Sequence, residues 1–400
     1  MRIINARVIG PDKMIPCATV TLSNGRIEAV ETQPREVSPS RDDYDARGGT
    51  LLPGFIDLHN HGALGHDTMA REPDHWRAMC GFLASQGVTG FLPTATAAKD
   101  DEIAAYIECA KAMMAESPAG SRILGVHLEG PYLNLKYRGM HPMGHCRLPD
   151  PAEYMPWLAS GVVRRITAAL EIDADTPRQG ACLRLLADCV AAGVCVSLGH
   201  SACVAEDVTR WSSLGLRHCT HLYNAMSRAE KAGPVRVCGC LEGVLVTDGV
   251  TAKIIGDGNH VPEYSFRVAE RCKGSDGITI ASDATLFTGA VQEGVPMRYG
   301  GSSQEVVVRN GRATSPDGSS LIGSIATLGE MFPRILDWLD GDWIAAARVF
   351  STNAAGLIGL GNRKGRIQPG YDADLVLLDK ELRVAATWVE GETASRETVT

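Results

Sequence analysis

Two histidines one residue apart, His59 and His61, close an apolar run in "LLPGFIDLHNHG". In a strand, positions i and i+2 point to the same face, so both imidazoles can face inward while Asn60 faces out. Two neutral imidazoles at one strand end make half of a divalent metal site. A lone His-x-His also arises by chance. Other apolar stretches, however, end in the same way. "ILGVHLEGP" ends in His127, Glu129 and Gly130, "VCVSLGHS" in His200, "LRHCTHLYNA" in His221 and "GITIASDAT" in Asp283. Singly, each has a plain structural reading. Glu129 could be a salt-bridged carboxylate, His200 and His221 hydrogen-bonded core histidines, and Asp283 a helix N-cap. Apart, they are costly half-buried polar groups; gathered around a cation, each has a partner. His127 shares a strand face with Glu129 but lies deeper, where it supports a ligand rather than acting as one. His218 reads as structural, and His66 and His75 as surface or loop residues.

The metal reading requires elements that bring these strand ends together. The chain has 400 residues, 44% of them apolar and 22% charged, the balance of a folded globular protein. Its net charge of −8 and lack of a basic stripe argue against nucleic acid as a partner. The segment "MRIINARVIGPDKMIP" has no long apolar stretch, and no run approaches a membrane span. A cytoplasmic protein with no membrane partner is expected. The 12 cysteines are scattered without a C-x-x-C pair, which suits reduced thiols better than disulfides or a cysteine zinc site.

Residues 1–52 alternate apolar and polar around turns such as Asn24-Gly25, and the last forty residues do the same. Both ends are expected to form one small β unit, residues 1–52 plus 360–400, around a central body of residues 53–359. Within that body eight apolar stretches alternate with amphipathic ones; "DDEIAAYIECAKAMMAE" is the clearest helix. The seventh stretch, "GVLVTDGVTAKIIGDGNHV", is the least tidy and has room for two strands. The pattern predicts an α/β fold, a parallel (β/α)8 TIM-like barrel, with a doubly wound sheet as the alternative. In such a barrel the C-terminal strand ends meet at one mouth, the convergence the metal reading needs.

The segments "PGFIDLHNHG", "GVHLEGPYLNLKYRGMH", "SLGHS", "THLYNAM", "GDGNHV", "SDAT" and "GRIQPGYDADLVLLD" occur in that order over nearly the whole chain. Together they resemble the amidohydrolase superfamily and, within it, the N-acetylglucosamine-6-phosphate deacetylases. The resemblance implies a (β/α)8 barrel with a small β-sandwich domain formed by both chain termini. It implies that Glu129, His200 and His221 hold a main metal. It further implies that His59 and His61, with Glu129 bridging, hold a second metal in some members. Retention of both histidines favours a site able to take two ions. Zinc is the first choice, and an imidazole–carboxylate set also suits Fe, Mn or Co. Asp283 matches the catalytic acid/base, and His141 in "GMH", beside Met140, matches a residue that polarises the substrate carbonyl. Asn224 and Ala225 match substrate contacts, and Asp257, Gly258, Asn259 and His260 match the phosphate-binding motif. Family members are commonly homodimers in which a neighbour contributes near the phosphate.

The chain departs from the family pattern in places. The R-x-P-G motif after "THLYNAM" is replaced by "SRAEKAGPVRVCGCLEG", where Arg228, Lys231 and Arg236 are substitute phosphate partners. "DGSSLIGS" replaces "GTLAGS", so Ser320, Leu321 and Ile322 form a substrate-facing segment of altered chemistry. The fourth stretch, "VVRRITAALE", has no lysine to be carboxylated as a metal bridge, which fits a Glu129 bridge instead. The implied reaction removes the N-acetyl group from an amino sugar, N-acetyl-D-glucosamine 6-phosphate first, giving acetate and glucosamine 6-phosphate. The alternatives are an unphosphorylated or galactosamine-type N-acyl sugar, a non-sugar amide, and a non-catalytic barrel. The last would need a broken site, whereas all five ligand positions and Asp283 are present.

Overall fold

Eight parallel strands and eight following helices alternate along the chain in this computed structural model, which describes residues 1–34, 36–290, 292–298 and 305–396. The strands are β1 (Phe55–Asn60), β2 (Val88–Ala95), β3 (Val126–Glu129), β4 (Val163–Ala168), β5 (Cys195–Leu198), β6 (His218–Cys219), β7 (Thr251–Ile255) and β8 (Ile278–Ala281). The helices are α1 (Pro73–Ser85), α2 (Asp100–Glu116), α3 (Pro151–Ala159), α4 (Ala181–Ala191), α5 (Ala205–Ser213), α6 (Cys240–Val246), α7 (Glu263–Lys273) and α8 (Leu328–Trp338). Each strand pairs in parallel with the next, from β1–β2 through β7–β8. Closure between β8 and β1 occurs at the strand ends. There Asn60 bridges Ala284, Asp283 N donates to His59 O at 3.0 Å, and His61 N donates to Ala284 O at 2.7 Å. The ring therefore closes on the residues singled out for chemistry.

The local reasons are ordinary ones. Every residue of β2 and β8 is buried, as expected for parallel strands covered on both faces. Helix α2 turns Ile103, Tyr106, Ile107, Ala110 and Met113 inward, a helical stripe at the predicted spacing. Helix α8 buries Leu328, Met331, Phe332, Ile335 and Leu336 behind a capping box. Thr327 accepts from Glu330 N, and the Glu330 carboxylate accepts from Thr327 N at 2.8 Å. The seventh stretch contains a helix and one strand. "GVLV" winds into α6 because Glu242 accepts from Gly239 N at 2.8 Å and turns Cys240, Gly243 and Val244 inward. Only Thr251–Ile255 joins the barrel.

Both termini build one eight-stranded sheet. Arg2–Ile9 pairs antiparallel with Met14–Ser23 and parallel with Asp43–Asp45 and Thr50–Pro53. Thr50–Pro53 also pairs with Leu375–Leu378, which continues through Val384–Val389 to Glu392–Arg396. Its strands share a core that includes Ile3, Val20, Ile27, Leu51, Leu375 and Trp388, so the sheet curls around its own interior. The Asn24-Gly25 turn has positive φ at both residues, 49° and 74°, as a two-residue hairpin of the right twist requires. Between β8 and α8 lies an excursion that the periodicity did not announce. It is a three-stranded antiparallel sheet, Pro296–Arg298, Glu305–Arg309 and Arg312–Thr314, packed on Phe287 and Ile322. All twelve cysteines are free. Among the described residues no helix is long and apolar enough to cross a membrane.

Candidate metal centre

His59 lies within β1 and Glu129 ends β3; His61, His200, His221 and Asp283 follow the last residues of β1, β5, β6 and β8. The barrel brings them into one cluster centred on the Glu129 carboxylate. His200 Nε2 and His221 Nε2 lie 3.2 and 3.1 Å from Glu129 Oε1. His59 Nε2, His61 Nε2 and His141 Nε2 lie 3.2, 3.1 and 3.3 Å from Oε2. Asp283 Oδ1 is 3.1 Å from His59 Nε2. The imidazoles also face one another: the Nε2 atoms of His59 and His61 are 2.9 Å apart, and those of His200 and His221 are 3.1 Å apart. The predicted same-face geometry of His59 and His61 is what the strand delivers. All of these side chains are buried.

Nitrogens that approach this closely must share either a proton or a cation. The ligand atoms of His59, His61 and Glu129 lie within 4.8 Å of one another, as do those of Glu129, His141 and His200. Burial opposes charge on Glu129, yet its imidazole hydrogen bonds hold it well below the usual carboxylate range. Burial likewise opposes charge on His61, but the Glu129 bond and charge raise it to about 9. The cluster thus draws in protons in the absence of another cation. Its nitrogen and oxygen donors, with no sulfur, suit a borderline or hard divalent ion.

His141 plays a different part from the other imidazoles. Its Nδ1 accepts from Ala97 N at 3.1 Å, so its proton sits on Nε2. His141 therefore points a donor into the site and cannot be a ligand in this tautomer, although its distance would allow it. Burial pulls its pKa down, keeping it neutral.

Three of the site residues have a left-handed backbone: φ is 52° at His200, 28° at His221 and 49° at Asp283. Non-glycine residues adopt this region at a cost of order 1–3 kcal/mol each, and such strain concentrates at functional sites. It turns each side chain inward immediately after its strand.

A cavity of about 940 Å³ opens onto the cluster. Of the predicted substrate contacts, Met140, His141, Asn224, Ala225, His260, Ser320, Leu321 and Ile322 line it. Asp257, Gly258 and Asn259 stand behind His260. The Asp257 carboxylate accepts from His260 Nδ1 at 2.8 Å and from the backbone N–H of Asn259 and His260 at 2.9 Å. Gly258, with φ of 74°, permits that turn. Asn259 Oδ1 accepts from Arg312 Nε at 2.7 Å. Lys231 and Arg236 face each other across an exposed hairpin, Glu230–Ala232 with Val235–Val237, and neither they nor Arg228 line the cavity. Its cationic lining comes from Arg71 and Lys136, which the motif reading passed over.

Other contributors were also missed. The carbonyl of Tyr137 lies 2.7 Å from His200 Nδ1, and that of Asn224 lies 3.2 Å from His221 Nδ1. Asp57 joins β1 to the residues after β8 by accepting from Ser282 N at 3.1 Å, and burial pushes its carboxyl up to about 6. Lys253, fully buried on β7, places Nζ against His59 Nδ1; burial lowers it to about 7, against the pull of Asp283 and Asp57. A lysine inside the apolar run "TAKII" was the available signal, since lysine is almost never fully buried unpaired. His127 lies deeper, as predicted, edge-on to His59 at 4.6 Å and bonded through Nε2 to Thr167 at 2.7 Å. His66 and His75 stack on each other, 3.9 Å between ring centroids.

Comparison with known proteins agrees with this geometry. The Amidohydrolase family profile matches residues 50–394. An N-acetylglucosamine-6-phosphate deacetylase of Bacillus subtilis (strain 168) is 30% identical over 392 residues, covering 97% of this chain and 95% of that protein. An N-acetylgalactosamine-6-phosphate deacetylase of Shewanella sp. (strain ANA-3) is also 30% identical over 392 residues, covering 97% and 94%. The crystal structure of N-acetylglucosamine-6-phosphate deacetylase from Thermotoga maritima superposes with a TM-score of 0.85 at 30% identity, covering 99% of this chain and 100% of that one.

Proposed function

The chain belongs to the amidohydrolase family, and on that premise we propose that it hydrolyses the N-acetyl group of N-acetyl-D-glucosamine 6-phosphate to give acetate and glucosamine 6-phosphate. The observation that carries the reading is the gathering of Glu129, His59, His61, His200, His221 and Asp283 at one mouth, with His141 aiming an N–H inward. Glu129, His200 and His221 would hold a divalent ion, with His59 and His61 on the other side of the same carboxylate. Such an ion, when bound, supplies Lewis acidity toward water and an amide carbonyl.

The chain's own groups do the rest. Asp283 accepts a proton from the attacking water. His141 Nε2–H donates to the carbonyl oxygen as it gains negative charge, worth roughly 3–4 kcal/mol in comparable sites. Asp283 then passes its proton to the leaving nitrogen, which departs poorly unless protonated. Met140, Asn224, Ala225 and the segment Ser320, Leu321 and Ile322 enclose the sugar. His260, braced by Asp257, faces its polar end. The proposal extends to zinc as the resident ion, a homodimer and a cytoplasmic location. Elemental analysis, gel filtration and cell fractionation test these.

The deciding measurement is kcat/KM for N-acetylglucosamine with and without the 6-phosphate. A preference of about hundredfold or more, ~2.7 kcal/mol, is expected for the phosphorylated sugar. Equal values would overturn the phosphate assignment. The similarity to the Shewanella deacetylase makes N-acetylgalactosamine 6-phosphate the second substrate to assay, and a higher kcat/KM on it would reassign the epimer.

A further inference from the structure

A phosphate monoester carries up to two negative charges, and a single imidazole meets them poorly. A guanidinium suits it better, since its fork offers two parallel N–H donors. Arg228, Lys231 and Arg236 do not line the cavity. Lys136 does, but from the loop after β3, which lies opposite β7 and His260 in an eight-stranded ring. Arg71 also lines the cavity on that far side, its carbonyl against Cys109 of α2.

One guanidinium stands beside His260. Arg312 opens the last strand of the three-stranded sheet between β8 and α8, and its Nε donates to Asn259 Oδ1 at 2.7 Å. Asn259 immediately precedes His260. The same strand is tied to another part of the cavity wall: Ile322 N donates to Ala313 O at 2.9 Å, and Thr314 bridges Leu321. His260, Leu321 and Ile322 all line the cavity, so Arg312 sits at the rim between two lining segments. Arg312 is exposed and, among the described residues, has no carboxylate partner. With Nε held by Asn259, its two Nη atoms are left for a ligand. His260 Nδ1 donates to Asp257 Oδ2 at 2.8 Å, which leaves Nε2 for the same ligand. Arg309 lies directly across the hairpin from Arg312. Like charges opposite each other destabilise such a pair, and an anion bound at the rim relieves that repulsion.

We propose that the sugar's 6-phosphate binds between His260 and Arg312, and that Asn259 is a positioning residue that aims the guanidinium. Selection for the phosphorylated sugar then comes from the sheet inserted between β8 and α8. The proposal rests on the sugar-phosphate reading of the site and names the residue that enforces it.

The test measures kcat and KM of the metal-loaded full chain on N-acetylglucosamine 6-phosphate and on N-acetylglucosamine. Arg312→Gln should lower kcat/KM on the phosphorylated sugar by roughly 10–100-fold, mostly through KM, and leave the unphosphorylated sugar within about twofold. Arg312→Lys should recover part of the loss, because the charge remains without the fork. Asn259→Ala should show the same pattern with a smaller loss, about three- to tenfold. An equal fall on both sugars would make Arg312 structural and overturn the proposal. A wild-type preference for the phosphate that survives Arg312→Gln would sink Arg312 alone. A wild type indifferent to the phosphate would sink the substrate reading and this one together.

Discussion

On one side of the Glu129 carboxylate, two imidazoles have their far nitrogens tied to the carbonyls of Tyr137 and Asn224. On the other side, one imidazole rests against Lys253 and the next has, among the described residues, no hydrogen-bond partner behind it. All four rings are buried and lie within 3.2 Å of the same carboxylate. Residue type, distance and burial are therefore nearly equal, while the groups behind the rings are not. Where a proton sits on an imidazole is set by the atom behind it, and that atom decides between a lone pair and a donor. His141 makes the same point from a third direction, since the backbone N–H of Ala97 fixes it as a donor.

This contrast can be broken experimentally. The largest effect should follow His221→Ala on the Oε1 side: loss of the ion, read by elemental analysis, and a fall in kcat/KM of roughly 10³-fold or more. A variant that keeps its ion would show that the two sides had been assigned the wrong way round. Asp283→Asn should lower kcat by about 10²–10⁴-fold while metal content stays at the wild-type value. Near-normal turnover would remove Asp283 from the proton transfers. His141→Gln should cost about 10²–10³-fold in kcat, again with the ion retained; loss of the ion would make His141 a ligand and refute its donor tautomer. The smallest change is expected on the Oε2 side, where His61→Gln should lose less than about tenfold in kcat/KM and keep its ion. A loss as large as that of His221→Ala would erase the difference between the halves.

Some of this was legible in the order of residues. The eight apolar stretches carried eight strands, because strands covered on both faces must be apolar throughout. Polar residues at the ends of such stretches stood out because burial there is costly without a partner, so His59, Glu129, His200, His221 and Asp283 were visible before any coordinates. The helix inside "GVLV" was not visible, since β-branched residues favour strands and the Glu242 cap that opens the helix lies just before that run. The sheet between β8 and α8 was hidden because its strands are three to five residues long, too short to show a period. Lys253 was passed over because its partner, His59, lies 194 positions away.

The sequence by itself determined the barrel strands and the polar residues at their ends that must share a site, because burial and periodicity act along the chain and leave a local trace. The tertiary structure alone decided the protonation pattern within that site. For His200, His221 and His141 the tautomer depends on a single atom delivered by another element: a carbonyl of Tyr137 or Asn224, or the N–H of Ala97. Hydrogen bonds reach only about 3 Å, and what lies within that reach is a property of the closed barrel rather than of neighbours in sequence.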